Sequence, residues 1–211
     1  MNPSEELKRR LGECPLVAII RGVTPDEVEA VGEAIWDAGI RIIEVPLNSP
    51  DPFESIRRLA GRMGERALVG AGTVLEVAQV QRVREAGGGI VVSPSTYTAV
   101  IEATVAAGMV STPGFFTPSE AFDAIRAGAT GLKLFPAEAA SPAVVKAQRA
   151  VIPKDVPLLV VGGVKPDQMR PWLEAGANGF GLGSGVYAPG RSAEETGMRA
   201  RAYVAGLSHD D

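Results

Sequence analysis

The feature that most limits the fold of this chain is a regular alternation of short apolar runs with helix-like stretches. The strand-like runs are Pro15–Ile20, Arg41–Val45, Ala67–Val69, Ile90–Ser93, Met109–Thr112, Leu132–Phe135, Leu158–Val161 and Gly179–Leu182. Unbroken alternation of this kind indicates a parallel sheet. Eight units without a linker favour an α/β fold, a single-domain (β/α)8 barrel over residues 1–211 with a short N-terminal helix. A doubly wound open sheet is the alternative.

Local sequence signals set the expected helix boundaries. Thr24, Pro25 and Glu27 form a capping-box pattern, which predicts a helix that begins at Pro25. Further helices are predicted at about residues 52–62, 76–86, 97–107, 118–127, 142–151, 166–175 and 194–207. Glycines in Ala-Gly pairs are expected to end five of these helices in the left-handed conformation, namely Gly39, Gly87, Gly108, Gly128 and Gly176.

The composition removes several kinds of chemistry. The chain has one Cys, Cys14, and one His, His209, close to the C-terminus, so a Ser-His-Asp triad, a multi-His zinc site and an intrachain disulfide are not expected. A net charge of −4 argues against nucleic acid and anionic membranes as partners. The N-terminal residues lack the apolar core of a signal peptide, and no apolar run is long enough to span a membrane, so we expect a cytoplasmic protein.

Two charged residues lie within strand-like runs. In Ile42–Val45, strand alternation directs Ile43 and Val45 to one face and Glu44 to the other, toward the barrel mouth. In Leu132–Phe135, Lys133 shares the inward face with Phe135. A lysine that loses water is easier to deprotonate and can form a Schiff base with a carbonyl. The alternative is a buried Glu44–Lys133 ion pair that only fills the barrel, which is seldom more stable than apolar packing.

Glycine-rich turns follow the seventh and eighth strands. Gly162 and Gly163 end one, and Gly183 and Ser184 lie in the other. Loops at these two strands commonly bind phosphate through backbone N–H groups in such barrels. The alternative is that these glycines only form tight turns.

Smaller signals lie at three other strand ends. Arg21 could bind a carboxylate with two hydrogen bonds or form a structural salt bridge. Thr73, after the third strand, adds a hydroxyl, and Pro94 lies in the rigid Ser-Pro-Ser turn after the fourth. Either segment could be turn chemistry alone. No cluster of carboxylates suggests a dedicated metal site.

The order of these motifs resembles the 2-keto-3-deoxy-6-phosphogluconate/6-phosphogalactonate (KDPG/KDPGal) aldolase family, class I pyruvate-lyase barrels. The resemblance extends from about Pro15 to Leu207. The matching strings are AIIRG at 18–22, IEVPLNSP at 43–50, VGAGTV at 69–74, SPS at 93–95, PG at 113–114, LKLFPA at 132–137, VGGV at 161–164 and GLGS at 181–184.

This resemblance implies a role for each candidate residue. Lys133 would be the Schiff-base lysine and Glu44 the general acid/base. The substrate-binding residues would be Arg21, Thr73, Pro94, Phe135 and Val161, and the phosphate-binding residues would be Gly162, Gly163, Gly183 and Ser184. The resemblance implies no metal or other cofactor besides the covalent Schiff base. The expected partners are a phosphorylated 2-keto-3-deoxy sugar acid and pyruvate, and the family is usually trimeric.

Two positions favour one branch of the family. Gluconate-type members usually carry an arginine where this chain has Asn48 and a threonine where it has Val161. We therefore expect the 6-phosphogalactonate substrate, cleaved to pyruvate and D-glyceraldehyde 3-phosphate. The alternatives are the gluconate epimer as main substrate, a sugar-phosphate epimerase or isomerase on the same barrel, and a non-catalytic sugar-phosphate binding protein.

Overall fold

A computed structural model describes residues 2–207, so His209 lies outside the described residues. The strands are β1 Leu16–Ile19, β2 Ile42–Pro46, β3 Leu68–Gly72, β4 Ile90–Val92, β5 Val110–Thr112, β6 Gly114–Phe115, β7 Leu132–Leu134, β8 Leu158–Val161 and β9 Gly179–Leu182. The helices are α1 Pro3–Glu13, α2 Val28–Asp37, α3 Pro52–Met63, α4 Val77–Glu85, α5 Thr98–Ala106, α6 Pro118–Arg126, α7 Pro142–Arg149, α8 Arg170–Glu174 and α9 Ala193–Gly206.

The strands form one parallel sheet that closes on itself. Its order is β5-β4-β3-β2-β1-β9-β8-β7-β6. β5 matches the fifth predicted strand, Met109–Thr112, whereas β6 was not predicted; it follows β5 directly after Pro113, which has no N–H to donate to a neighbour. The carbonyl of Pro113 nevertheless accepts from the N–H of Lys133 at 2.9 Å, and β6 pairs with β7. The predicted (β/α)8 barrel is confirmed, and the open sheet is not found.

Side-chain alternation divides the core into two parts. Ile43 and Val45 pack toward the helices, whereas Ile42 lies among the apolar residues of the barrel interior, as the strand pattern predicts. Leu7 and Leu11 of α1 join that interior cluster, so α1 covers the amino-terminal end of the barrel. α1 does not cover the opposite end, at the carboxyl ends of the strands, and a functional site is expected there. Among residues 2–207, no helix is long and apolar enough to span a membrane.

The five predicted helix-ending glycines all have positive φ, between 71° and 110°. The backbone N–H groups at these positions donate to carbonyls of the preceding turn; the N–H of Gly39, for example, donates to the carbonyl of Trp36 at 2.9 Å. This conformation is open to glycine at little cost and ends each helix just before the next strand.

Two helix predictions were wrong at their boundaries. α2 begins at Val28 and not at Pro25: the carboxylate of Glu27 accepts from the N–H of Thr24 at 3.2 Å, but it is also bound by the hydroxyl of Tyr187. The predicted helix at 166–175 is a 3₁₀ turn, Pro166–Gln168, followed by the short α8. Pro171 has no N–H for a bond to the preceding turn, so one continuous α-helix cannot form there.

Candidate active site

A cavity of about 340 Å³ lies at the carboxyl ends of the strands. Ten of the eleven predicted site residues line it: Arg21, Thr73, Pro94, Lys133, Phe135, Val161, Gly162, Gly163, Gly183 and Ser184. The eleventh, Glu44, is buried close by, where its charge interacts with those of Lys133 and Arg21. The structure therefore brings together residues that come from seven strands, β1 to β4 and β7 to β9.

Glu44 lies against β3 at a point where only glycine leaves room for it. β2 and β3 pair in parallel, with Pro46 opposite Gly72. A Cβ on Gly72 would lie 1.9 Å from Oε2 of Glu44, so any other residue would displace the carboxylate. Glu44 is only 1% exposed, and its Oε2 has no hydrogen-bond partner among the described residues. The carboxylate is thus closely packed against β3, and one of its buried oxygens has no hydrogen-bond partner among residues 2–207.

Lys133 presents its ammonium group inside an apolar wall. Its neighbours Leu132 and Leu134 point outward into the main core, and Lys133 itself is 6% exposed. Its Nζ lies 4.7 Å from the centre of the Phe135 ring, a cation–π contact. The alternative of a direct buried ion pair is not found: no Glu44–Lys133 salt bridge occurs in residues 2–207.

Burial shifts both groups toward their neutral forms. It raises the pKa of Glu44 to about 7, and the positive charges of Lys133 and Arg21 offset part of the rise. Burial also lowers the pKa of Lys133; Glu44 opposes this shift and Arg21 adds to it. A lysine with a lowered pKa loses its proton more easily and so becomes a nucleophilic amine more readily, and a carboxyl group that titrates near neutrality can both take and give a proton.

Arg21 is oriented by two neighbours at the mouth. Its Nη1 donates to Oδ1 of Asn48 and, at 3.3 Å, to Oγ1 of Thr73. Thr73 has a φ of 56°, a conformation that costs energy in a β-branched residue. In the described chain Arg21 forms no salt bridge, so the structural alternative for this residue is not found. Its charge is available to an anion in the cavity.

The two glycine turns, which follow β8 and β9, also line the cavity. Gly162 and Gly163 have φ values of 126° and 67°, which L side chains rarely adopt. Within residues 2–207, the N–H groups of Gly163, Gly183 and Ser184 donate to no acceptor. Unpaired N–H groups on two adjacent loops are what an anion-binding site requires.

Four residues with polar side chains at this site were not among the predicted ones. Glu138, Lys165 and Tyr203 line the cavity, and Asn48 orients Arg21. A Cβ on Gly162 would lie 2.0 Å from Oε2 of Glu138, so this carboxylate lies against the glycine turn. Lys165 could have been found from its position after the glycine pair. Tyr203 gives no such signal, because it lies on a helix far along the chain. The remaining lysines, Lys8, Lys146 and Lys154, are exposed and do not line this cavity.

A larger cavity, about 630 Å³, lies at the opposite end of the barrel beside α1. Its most prominent charged group is Arg10, which is 5% exposed. The Arg10 guanidinium donates to Glu6 and to the carbonyls of Glu65 and Arg66. These bonds attach α1 to the barrel, so the cavity is explained by the docking of that helix.

Comparison with known proteins identifies the family. The family model described as KDPG and KHG aldolase matches residues 7–195. The chain belongs to this family. It is 45% identical over 190 residues to the 2-dehydro-3-deoxy-6-phosphogalactonate aldolase of Escherichia coli (strain K12), covering 90% of this chain and 93% of that protein. A probable 2-dehydro-3-deoxy-6-phosphogalactonate aldolase of Rhizobium meliloti (strain 1021) is 47% identical over 193 residues, covering 92% and 91%.

The family assignment extends to the three-dimensional structure. A solved structure named "Native KDPGal structure" superposes on this member of the family with a TM-score of 0.91 at 44% identity. The superposition covers 92% of this chain and 95% of that one. The family expected from the sequence motifs is therefore confirmed, together with its barrel.

Proposed function

We propose that this protein is a class I aldolase that cleaves 2-dehydro-3-deoxy-6-phosphogalactonate to pyruvate and D-glyceraldehyde 3-phosphate. The observation that carries the proposal is the pair of buried groups at the barrel mouth. Lys133 and Glu44 share one water-poor site, each with its pKa shifted toward the neutral form. The names of the two relatives described above support the same reaction.

The reaction begins at Lys133. Its neutral Nζ attacks the C2 ketone of the substrate, and loss of water from the carbinolamine gives a protonated imine. The lowered pKa of Lys133 favours the first step, since the unprotonated amine is the nucleophile. The imine nitrogen then accepts the electron pair that is released when the C3–C4 bond breaks. No step requires a metal ion, because the imine is the electron sink.

Glu44 is the proton carrier of the cycle. As a carboxylate it takes the proton of the C4 hydroxyl, directly or through a water, and glyceraldehyde 3-phosphate leaves. The enamine left on Lys133 then takes a proton at C3 from the same carboxyl group, and hydrolysis releases pyruvate. A pKa of about 7 suits both directions of transfer.

The two ends of the cavity suit the two charged ends of this substrate. Arg21 and Thr73, with Pro94, Phe135 and Val161, surround the pyruvoyl end, where the guanidinium would bind the carboxylate. The glycine turns after β8 and β9 offer N–H groups that are unpaired within residues 2–207 to the phosphate, and the hydroxyl of Ser184 adds a donor.

The galactonate epimer is favoured by the surface near the C4 hydroxyl. Val161 lines the cavity and is 6% exposed, so an apolar side chain stands where gluconate-type members carry threonine. Comparison of kcat/KM for the two epimers tests this choice. A strong preference for the gluconate epimer would overturn it.

Trapping with borohydride tests the aldolase chemistry itself. Incubation with pyruvate and borohydride should add a pyruvate-derived mass to the peptide that contains Lys133. Lys133→Met should lose both the adduct and activity, whereas Lys154→Met, at an exposed lysine, should keep both. Activity without an adduct, retained in Lys133→Met, would instead indicate an epimerase or isomerase that uses these groups for proton transfer. Absence of turnover in a lactate dehydrogenase-coupled assay would indicate a binding protein.

We further propose a homotrimer, as the resemblance implies. Large apolar side chains are exposed in three neighbouring segments at the carboxyl ends of β3, β4 and β6: Leu75 (49%), Val77 (46%), Tyr97 (51%) and Phe116 (36%). Contact with a second copy would remove this apolar edge from water. Light scattering after chromatography should give three times the chain mass, and Tyr97→Glu should lower the measured mass toward that of one chain.

A further inference from the structure

Tyr203 of α9 bridges the two glycine turns of the cavity. Its hydroxyl donates to the carbonyl of Val164, in the turn after β8, at 3.0 Å. On its other side the same hydroxyl touches the turn after β9, because a Cβ on Gly185 would lie 2.2 Å from it. Tyr203 lines the cavity and is 6% exposed. One buried side chain therefore contacts both turns at once.

The hydroxyl of Tyr203 acts on the protein and not on a ligand. A phenol has a single proton to donate, and here that proton is used by Val164. Burial raises the pKa of Tyr203, and Asp167 adds to the rise, so the group is uncharged at neutral pH. Because the hydroxyl is neutral and its proton is already donated to Val164, the main effect of Tyr203 is on the spacing of the two turns.

The turn after β9 is also held from behind. Nη1 of Arg191 donates to the carbonyls of Ser184 and Val186, at 2.9 and 2.8 Å. In a trans peptide the N–H points opposite to the C=O, so this bond to the Ser184 carbonyl fixes the direction of the next N–H, that of Gly185. In the described part of the chain that N–H has no acceptor, and Gly185 lines the cavity.

We propose that Tyr203 is a positioning residue for phosphate recognition, which sets the separation of the two glycine turns so that their N–H groups converge on one anion. This inference rests on the assignment of these turns to the substrate's phosphate. Loss of the hydroxyl would leave the Val164 carbonyl unpaired and the spacing of the turns less fixed. The chemistry at Lys133, to which the Tyr203 hydroxyl makes no hydrogen bond in the described residues, would proceed unchanged once substrate is bound.

The test compares a phosphorylated substrate with the same keto acid lacking phosphate. We expect Tyr203→Phe to raise KM for the phosphorylated 2-keto-3-deoxygalactonate by about 5- to 20-fold while kcat changes less than about twofold. The inhibition constant of inorganic phosphate should rise by a similar factor. The kcat/KM for unphosphorylated 2-keto-3-deoxygalactonate and the rate of borohydride trapping with pyruvate should stay at wild-type values.

Tyr187→Phe is the matched control. Tyr187 is also a buried tyrosine, but its hydroxyl donates to Glu27 and not to a glycine turn. We expect this variant to lower Tm without changing the ratio of KM values for the two substrates. Gly185→Ala is a second variant, since its Cβ would push against the Tyr203 hydroxyl and should raise KM for the phosphorylated substrate alone.

The possible outcomes separate this inference from the proposed function. The inference is wrong if Tyr203→Phe lowers Tm but leaves the ratio of KM values for the two substrates unchanged. It is equally wrong if the variant raises both KM values by the same factor, because Tyr203 would then have only a structural role. If the wild-type protein itself shows no preference for the phosphorylated substrate and no inhibition by phosphate, the phosphate assignment fails, whatever the variant does.

Discussion

The guanidinium of Arg21 is hydrogen-bonded to the side-chain oxygen of Asn48, a residue on the neighbouring strand's loop. The bond joins β1 to β2 at the mouth of the barrel, and Thr73 after β3 accepts from the same Nη1 at 3.3 Å. Arg21 is otherwise exposed, so these two bonds decide where its charge lies. In gluconate-type members, by resemblance, an arginine occupies the Asn48 position; here the amide of Asn48 orients Arg21 instead.

We expect Asn48→Ala to weaken binding of the substrate carboxylate. Without the amide oxygen, Arg21 loses its fixed orientation, and KM should rise about 5- to 10-fold with little change in kcat. Steady-state kinetics and the concentration dependence of pyruvate trapping measure this effect. Gln81→Ala, which removes an amide on α4 that bonds only to Glu85, is the control and should leave KM unchanged. An unaltered KM in Asn48→Ala would show that Arg21 needs no such support.

Replacement of Glu44 by glutamine should make stability depend less on pH. The pKa of Glu44 is about 7 in the folded protein and near its ordinary value of 4.5 in the unfolded chain. A raised pKa favours folding at low pH, and this contribution falls as pH rises from about 4.5 to 7. Glu44→Gln should therefore gain stability over the wild type across that range, by up to about 3 kcal/mol above pH 7. Urea unfolding at pH 5 and pH 8 measures it.

The same substitution should abolish turnover while leaving pyruvate able to reach Lys133. Glutamine has the shape of glutamate but cannot carry the proton of the C4 hydroxyl, so kcat should fall by about 100-fold or more. For the stability prediction, an equal difference in the free energy of unfolding between wild type and Glu44→Gln at pH 5 and pH 8 would show that burial does not raise the pKa of Glu44.

The sequence was sufficient for those parts of the fold and site that depend on local periodicity. Alternation along Ile42–Val45 placed Glu44 inside the barrel, and the glycines after β8 and β9 marked the turns at the cavity. Contacts between distant side chains could not be read in this way. Tyr203 and Val164 are 39 residues apart, and Arg21 and Asn48 are 27 apart. These pairs are brought together only by barrel closure and helix packing.

Strand and helix breaks show a similar limit. The interruption at Pro113 leaves β5 and β6 in line, because their neighbours on each side hold them in register. The carboxylate of Glu27, next to the start of α2, accepts a hydrogen bond from the hydroxyl of Tyr187, which lies 160 residues away. A capping pattern cannot report that a distant hydroxyl also bonds to the capping carboxylate.

Gly72→Ala should disable the site with the barrel intact. The added Cβ would lie 1.9 Å from Oε2 of Glu44, so the carboxylate must move from its position. We expect kcat to fall by about 100-fold, since small displacements of a catalytic group have large effects. Gly61→Ala is the control: Gly61 lies in α3 with nothing within 4 Å of its added Cβ, and should be stabilised by about 1 kcal/mol with normal activity. Normal kcat in Gly72→Ala would remove Glu44 from the mechanism.

Val161→Thr should shift the choice between the two substrate epimers. Val161 is at the end of β8, lines the cavity and is 6% exposed, so a threonine hydroxyl there can hydrogen-bond to the substrate. The epimers differ in the direction of the C4 hydroxyl, and one such bond is enough to change relative kcat/KM about tenfold toward the gluconate epimer. Competition between the epimers, analysed by the products formed, measures the ratio. Val151→Thr, at a valine that is 56% exposed, should leave the ratio at its wild-type value. If Val161→Thr keeps the wild-type ratio, Val161 does not determine the choice of epimer, and Asn48 and Arg21 are the next residues to substitute.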